Sequence, residues 1–124
     1  MKLKISNTLT LPHDVVTQKL AWMGRTGSGK TYGFTKLAEL MLGSGMQVVI
    51  LDPVGVHWGL RLAANGKDAG VKTIYVFGGL HSDIPIEPSS GRVVADFIAD
   101  KHISAILDVS QFETDADKTR FATD

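Results

Sequence analysis

The chain has 124 residues, 44% of them hydrophobic, and its 13 basic and 13 acidic side chains leave no net charge. That balance excludes a nucleic-acid coat, a basic membrane anchor or an acidic tail as the organising feature, so a polyanion would have to be met locally. The absence of cysteine excludes disulfides and thiolate metal sites. No run approaches the roughly 20 apolar residues that span a bilayer, and the first residues lack a signal-peptide core, so a soluble cytoplasmic protein without a membrane partner is expected.

Apolar runs alternate with amphipathic ones along the chain, the rhythm of an α/β fold with a parallel sheet. Residues 1–18 read as a lead-in. Residues 19–24 (KLAWMG) read as a short strand ending in glycine. From Lys30 onward Phe34, Leu37, Ala38, Met41 and Leu42 recur at helical spacing until GSG at 43–45 stops the helix. Residues 46–52 (MQVVILD) are apolar on both faces, which predicts a central strand covered by helices, with Asp52 at its carboxyl end.

After Pro53 the spacing predicts a turn and a short helix over residues 57–64, then a strand in VKTIYVFGG and a polar loop holding two prolines. Val93, Val94, Phe97 and Ile98 mark a helix after Gly91. ISAILDVS reads as a strand ending at Asp108, and FETDADKTRFATD as the start of a helix capped by Thr114 or Asp115. No stop signal closes that helix, so the domain is expected to be incomplete at its C-terminus.

Gly24-Arg25-Thr26-Gly27-Ser28-Gly29-Lys30-Thr31 fits G-x-x-x-x-G-K-[ST], the Walker A pattern of a phosphate-binding P-loop, between a predicted strand and a helix. Gly24, Gly27 and Gly29 permit positive φ and clear side chains away, so that successive N–H groups face one concavity. The helix N-terminus adds donors and partial positive charge. Lys30 supplies a point charge to the β- and γ-phosphates, and Thr31 a hydroxyl for Mg²⁺. Tyr32 either touches the base or packs. The bland alternative, a flexible turn, has no need of a lysine and a threonine at these positions.

A second magnesium contact should come from an aspartate at a strand's carboxyl end, and both Asp52 and Asp108 have that position. Asp108 is the assigned candidate, with structural capping as the competing role for either. Neither is followed by a glutamate that could activate water. Glu113 lies too far beyond the strand to serve as a base. His57, His81 and His102 show no metal-ligand spacing, and Trp58 is expected to pack against the sheet.

Taken together, GRTGSGKT, QVVILDPVGVHWGLR, SAILDVSQF and the TRFATD helix resemble the N-terminal portion of the ATPase domain of HerA/FtsK-type, DUF87-like proteins. The resemblance implies a RecA-like three-layer P-loop NTPase fold with a mostly parallel sheet, here a partial domain over 1–124 whose nucleotide-binding core is 19–124. It also implies ATP and Mg²⁺ as cofactors and ATP hydrolysis coupled to translocation of duplex DNA through a hexameric ring, often with a partner nuclease. Carried over, the family's nucleotide site falls on residues 24–31, with Lys30 on the phosphates as the catalytic contact and Thr31 on the metal.

The chain departs from the family at Val56 and His57, where an acidic residue is usual, and lacks the later strand ending in two acids. A weakly active or inactive ATPase is therefore expected of these residues alone. A stand-alone regulatory nucleotide-binding module is the alternative reading. A nucleoside kinase would need an arginine-rich lid, and Arg61, Arg92 and Arg120 are too dispersed to form one.

Overall fold

The computed structural model describes residues 2–19, 21, 23–25, 27, 29–61 and 74–124, side chains of Val16 and Arg61 excepted. The chain divides into two compact units, Met1–Met46 and Gln47–Asp124, each described by itself. Among the described residues no helix is long and apolar enough to cross a membrane.

The first unit opens with a feature the lead-in reading missed. Strands β1 (Lys2–Lys4) and β2 (Thr10–Pro12) form an antiparallel pair with Leu3 opposite Leu11. The turn between them is held by the Ser6 hydroxyl, which accepts from the N–H of Leu9 at 3.1 Å, while the N–H of Ile5 donates to the Leu9 carbonyl at 2.9 Å. Leu3 is buried. A 3₁₀ turn, His13–Thr17, follows directly.

Helix α1 (Lys30–Gly43) begins where the spacing predicts and buries Gly33, Leu37, Ala38 and Leu42 along one stripe. It stops at the expected glycines: Gly45 has φ +79°, and the N–H groups of Ser44, Gly45 and Met46 turn back onto carbonyls of the last turn. The strand expected at 19–24 is not found among the described residues. Lys19, Ala21, Met23 and Gly24 lie outside any strand, and Met23 is 88% exposed. Leu20 and Trp22 lie outside the described residues.

The second unit is a mixed α/β arrangement with a three-stranded parallel sheet, consistent with a P-loop-like fold. Strands β3 (Val49–Asp52), β4 (Ile74–Phe77) and β5 (Ser104–Asp108) are ordered β3-β5-β4. Helices α2 (Gly91–Lys101) and α3 (Asp115–Thr123) pack on it. Phe77, Val94, Ile98, Ala105, Val109 and Phe121 form one buried cluster, joined by partly buried Ile86, Ile103, Leu107 and Phe112. These residues come from β4, α2, β5 and α3, so the helices cover the sheet face that carries Ala105 and Leu107.

The prediction of a central MQVVILD strand is corrected. In the described sheet β3 is an edge, Val49 and Leu51 are each 47% exposed, and only Ile50 and Asp52 are buried. The central place belongs to β5, whose Ala105 and Ile106 are fully buried on opposite faces. Apolar residues on both faces of β3 therefore mark a strand without assigning it a neighbour on each side.

The helix expected over 57–64 is a 3₁₀ turn, His57–Arg61, as far as residues are described; 62–64 and the start of VKTIYVFGG lie outside them. Thr114 caps α3, its hydroxyl accepting from the N–H of Asp117 at 3.1 Å.

Candidate functional site

In the first unit, the backbone of residues 24–31 behaves as its glycines dictate. Gly27 and Gly29 have φ of +83° and +90°, and no atom lies within 4 Å of where a Cβ would stand on either. Gly29 is the residue before α1, and the N–H of Gly33 returns to its carbonyl at 2.9 Å as the first helical hydrogen bond. Helix geometry leaves the N–H groups of the first turn without intrahelical acceptors, and the macrodipole makes that end partially positive.

Arg25, Gly27, Gly29, Lys30, Thr31 and Tyr32 line one open concavity of about 490 Å³. That volume lies in the range of small-molecule sites, roughly 300–1,000 Å³. Lys30 is half-buried, with no acidic partner among the described residues, while Thr31 and Tyr32 are exposed. The predicted residues Arg25, Gly27 and Gly29 to Tyr32 are thus brought together. Gly24 is described but does not line the concavity, and Thr26 and Ser28 lie outside the described residues. Chemically, a lysine, an arginine and a helix N-terminus around open space suit a multiply charged anion.

In the second unit, Asp52 and Asp108 end β3 and β5 as Cα partners, 1% and 3% exposed. Their surroundings differ. Asp52 is saturated by backbone donors: Oδ1 accepts from the N–H groups of Val54 at 3.1 Å and Gly55 at 2.8 Å, and Oδ2 from that of His57 at 2.9 Å. Burial pushes its carboxyl up, but these donors, with the charge of His57, outweigh burial and hold it below the ordinary carboxylate value. Asp52 is thereby the organiser of the LDPVGVH turn.

Asp108 Oδ1 accepts from the N–H of Ser110 at 2.9 Å and from its hydroxyl at 2.6 Å. Its other oxygen faces two glycines. A Cβ on Gly79 would overlap the Asp108 carboxylate, and one on Gly55 would come within 2.7 Å of Ser110 Oγ and 3.3 Å of Asp108 Oδ2. Both glycines have positive φ, +74° and +86°. Asp108 therefore sits where the loops after β3, β4 and β5 meet. Sequence reasoning missed Ser110, Gly55 and Gly79; their signal was a serine two residues past a strand-end aspartate and glycines three and two residues past the ends of β3 and β4.

Trp58, expected to pack against the sheet, stacks on His81, ring centroids 3.7 Å apart and planes at 19°. Among the described residues no group of three or more His, Asp or Glu side chains is arranged to hold a metal.

Comparison with curated proteins and with solved structures finds no match. Residues 4–76, more than half of the chain and including the whole of residues 24–31, match the family described as helicase HerA, central domain (DUF87). The chain belongs to the HerA central-domain family.

Proposed function

We propose that this chain is an ATP-binding P-loop protein of the DNA translocase or helicase type, holding ATP with Mg²⁺ on residues 24–31. The observation that carries the reading is the open concavity lined by Arg25, Lys30 and Thr31, whose glycines keep positive φ with nothing beside their Cβ positions. At Gly55, Gly78 and Gly79 the Cβ position is filled by the protein itself, whereas at Gly27 and Gly29, as at the helix-ending Gly45, it is open; what the loop adds to that open space is Lys30, Arg25 and a helix N-terminus.

In this reading the loop N–H groups and Lys30 neutralise the β- and γ-phosphates, and Thr31 offers its hydroxyl to Mg²⁺. Lys30 is also the catalytic contact, because charge that builds on the phosphates during transfer falls on it. The metal, when bound, would withdraw charge from the phosphates. Thr26 and Ser28 belong to the same loop by sequence. Asp108 is carried as a second magnesium residue on its strand-end position alone, since its carboxylate also has the structural role described above.

A RecA-like architecture over a single partial domain, 1–124, with 19–124 as the nucleotide-binding core, goes with this proposal. Duplex DNA, a nuclease partner and a hexameric ring are proposed from family membership.

Calorimetric titration of Mg-ATP into the wild type and Lys30→Ala tests the reading. Removing the lysine from a multiply charged contact should weaken binding about 100-fold or more while the far-ultraviolet circular dichroism is unchanged. Equal affinity in the two proteins would overturn it. Steady-state turnover measured alongside separates an ATPase from a regulatory binding module.

A further inference from the structure

We infer that Tyr32 is the base-reading residue of the loop site, its ring stacking on the nucleobase and favouring purine over pyrimidine nucleotides without separating adenine from guanine. This rests on the nucleotide reading of residues 24–31.

The sequence leaves Tyr32 either packed or in contact with ligand, and the structure leaves its ring out of the core. The buried stripe of α1 runs through Gly33, Leu37, Ala38 and Leu42, and Tyr32 lies outside it at 74% exposure. Its ring contributes little to the core, yet it lines the same concavity as Lys30 and Thr31. An aromatic face beside a phosphate-binding helix turn meets whatever planar group the anchored anion carries.

Stacking on an aromatic side chain is tolerant of base identity because every base has a π-face, and larger rings cover more of it. The phenol oxygen has no part in this, so the ring alone should suffice. Among the described residues, none of the side chains lining the cavity supplies a carboxylate to accept from a guanine edge, in keeping with purine rather than guanine preference.

The experiment titrates the magnesium salts of ATP, UTP and inorganic triphosphate into wild type, Tyr32→Ala and Tyr32→Phe. Tyr32→Ala should weaken ATP about tenfold, leave triphosphate unchanged and erase most of the ATP-over-UTP preference; Tyr32→Phe should stay within about twofold of wild type. If Tyr32→Ala weakens ATP and triphosphate equally, or not at all, or if Tyr32→Phe loses as much as Tyr32→Ala, the inference is overturned. If wild type binds neither ATP nor triphosphate, the loop reading itself fails and the base assignment falls with it.

Discussion

The glycines of the phosphate loop and those around Asp108 adopt the same left-handed backbone, but the space beside them is used in opposite ways. Beside Gly27 and Gly29 it is open; beside Gly79 and Gly55 it is filled by Asp108 and Ser110. A positive φ alone therefore says little about function. An occupied Cβ position marks a structural turn, as at Gly79 and Gly55, but an open one is shared by the helix-ending Gly45, so what sets the phosphate loop apart is open space beside Lys30 and the start of a helix.

The largest effect that tests this contrast is expected of Gly79→Ala. The new methyl must displace the buried Asp108 carboxylate and also endure φ of +74°, so stability should fall by about 3 kcal/mol or more in urea denaturation. A loss under about 1 kcal/mol would mean that Asp108 moves aside freely and that its pocket is not a structural joint.

Asp52→Asn comes next, because three backbone donors lose a charged acceptor; about 2 kcal/mol is expected at neutral pH. The native carboxyl is held below its ordinary value, so its contribution is fully present above the unfolded value near pH 3.9 and is lost as pH falls through the lower native value. The stability gap between wild type and Asp52→Asn should accordingly narrow on acidification below about pH 4. A gap that is constant with pH would show that the carboxylate's charge is irrelevant to the turn.

The smallest stability change belongs to Gly27→Ala, about 1 kcal/mol of backbone strain with no clash. Its nucleotide affinity should nevertheless drop clearly in the Mg-ATP titration, since the methyl enters the space kept for phosphate. Unchanged affinity would make the open loop a simple turn and dissolve the comparison.

Much of this was readable beforehand where one local cause dominates. Lys30 starts α1, β5 ends at Asp108 and Thr114 caps α3, each set by a side chain or backbone preference close in sequence. The loop residues were legible for the same reason: their chemistry is specified by type and spacing. The neighbours of a strand were not. MQVVILD has a pattern suited to a buried centre, yet β3 lies at the described sheet's edge with Val49 and Leu51 half exposed, because strand order depends on distant segments.

Nor could the β1–β2 pair be seen in three-residue strands, although Leu3 and Leu11 flank a Ser6–Asn7 turn. The role of Asp108 also lay beyond local reasoning. Ser110 is two residues away, but Gly55 and Gly79 reach it only through the parallel crossovers that gather three loops at one sheet edge.

The pairing of Asp52 with Asp108 has a consequence for how the sheet is assembled. A slip of one residue between β3 and β5 would turn the Asp108 carboxylate away from Gly55 and Gly79 to the helix-covered face, among Val94, Ile98 and Phe121, and take Ala105 and Leu107 off it. An ionised group stranded there is costly, so misaligned pairings are penalised before the helices close over them. The two carboxylates thus proofread the alignment of the strands during folding.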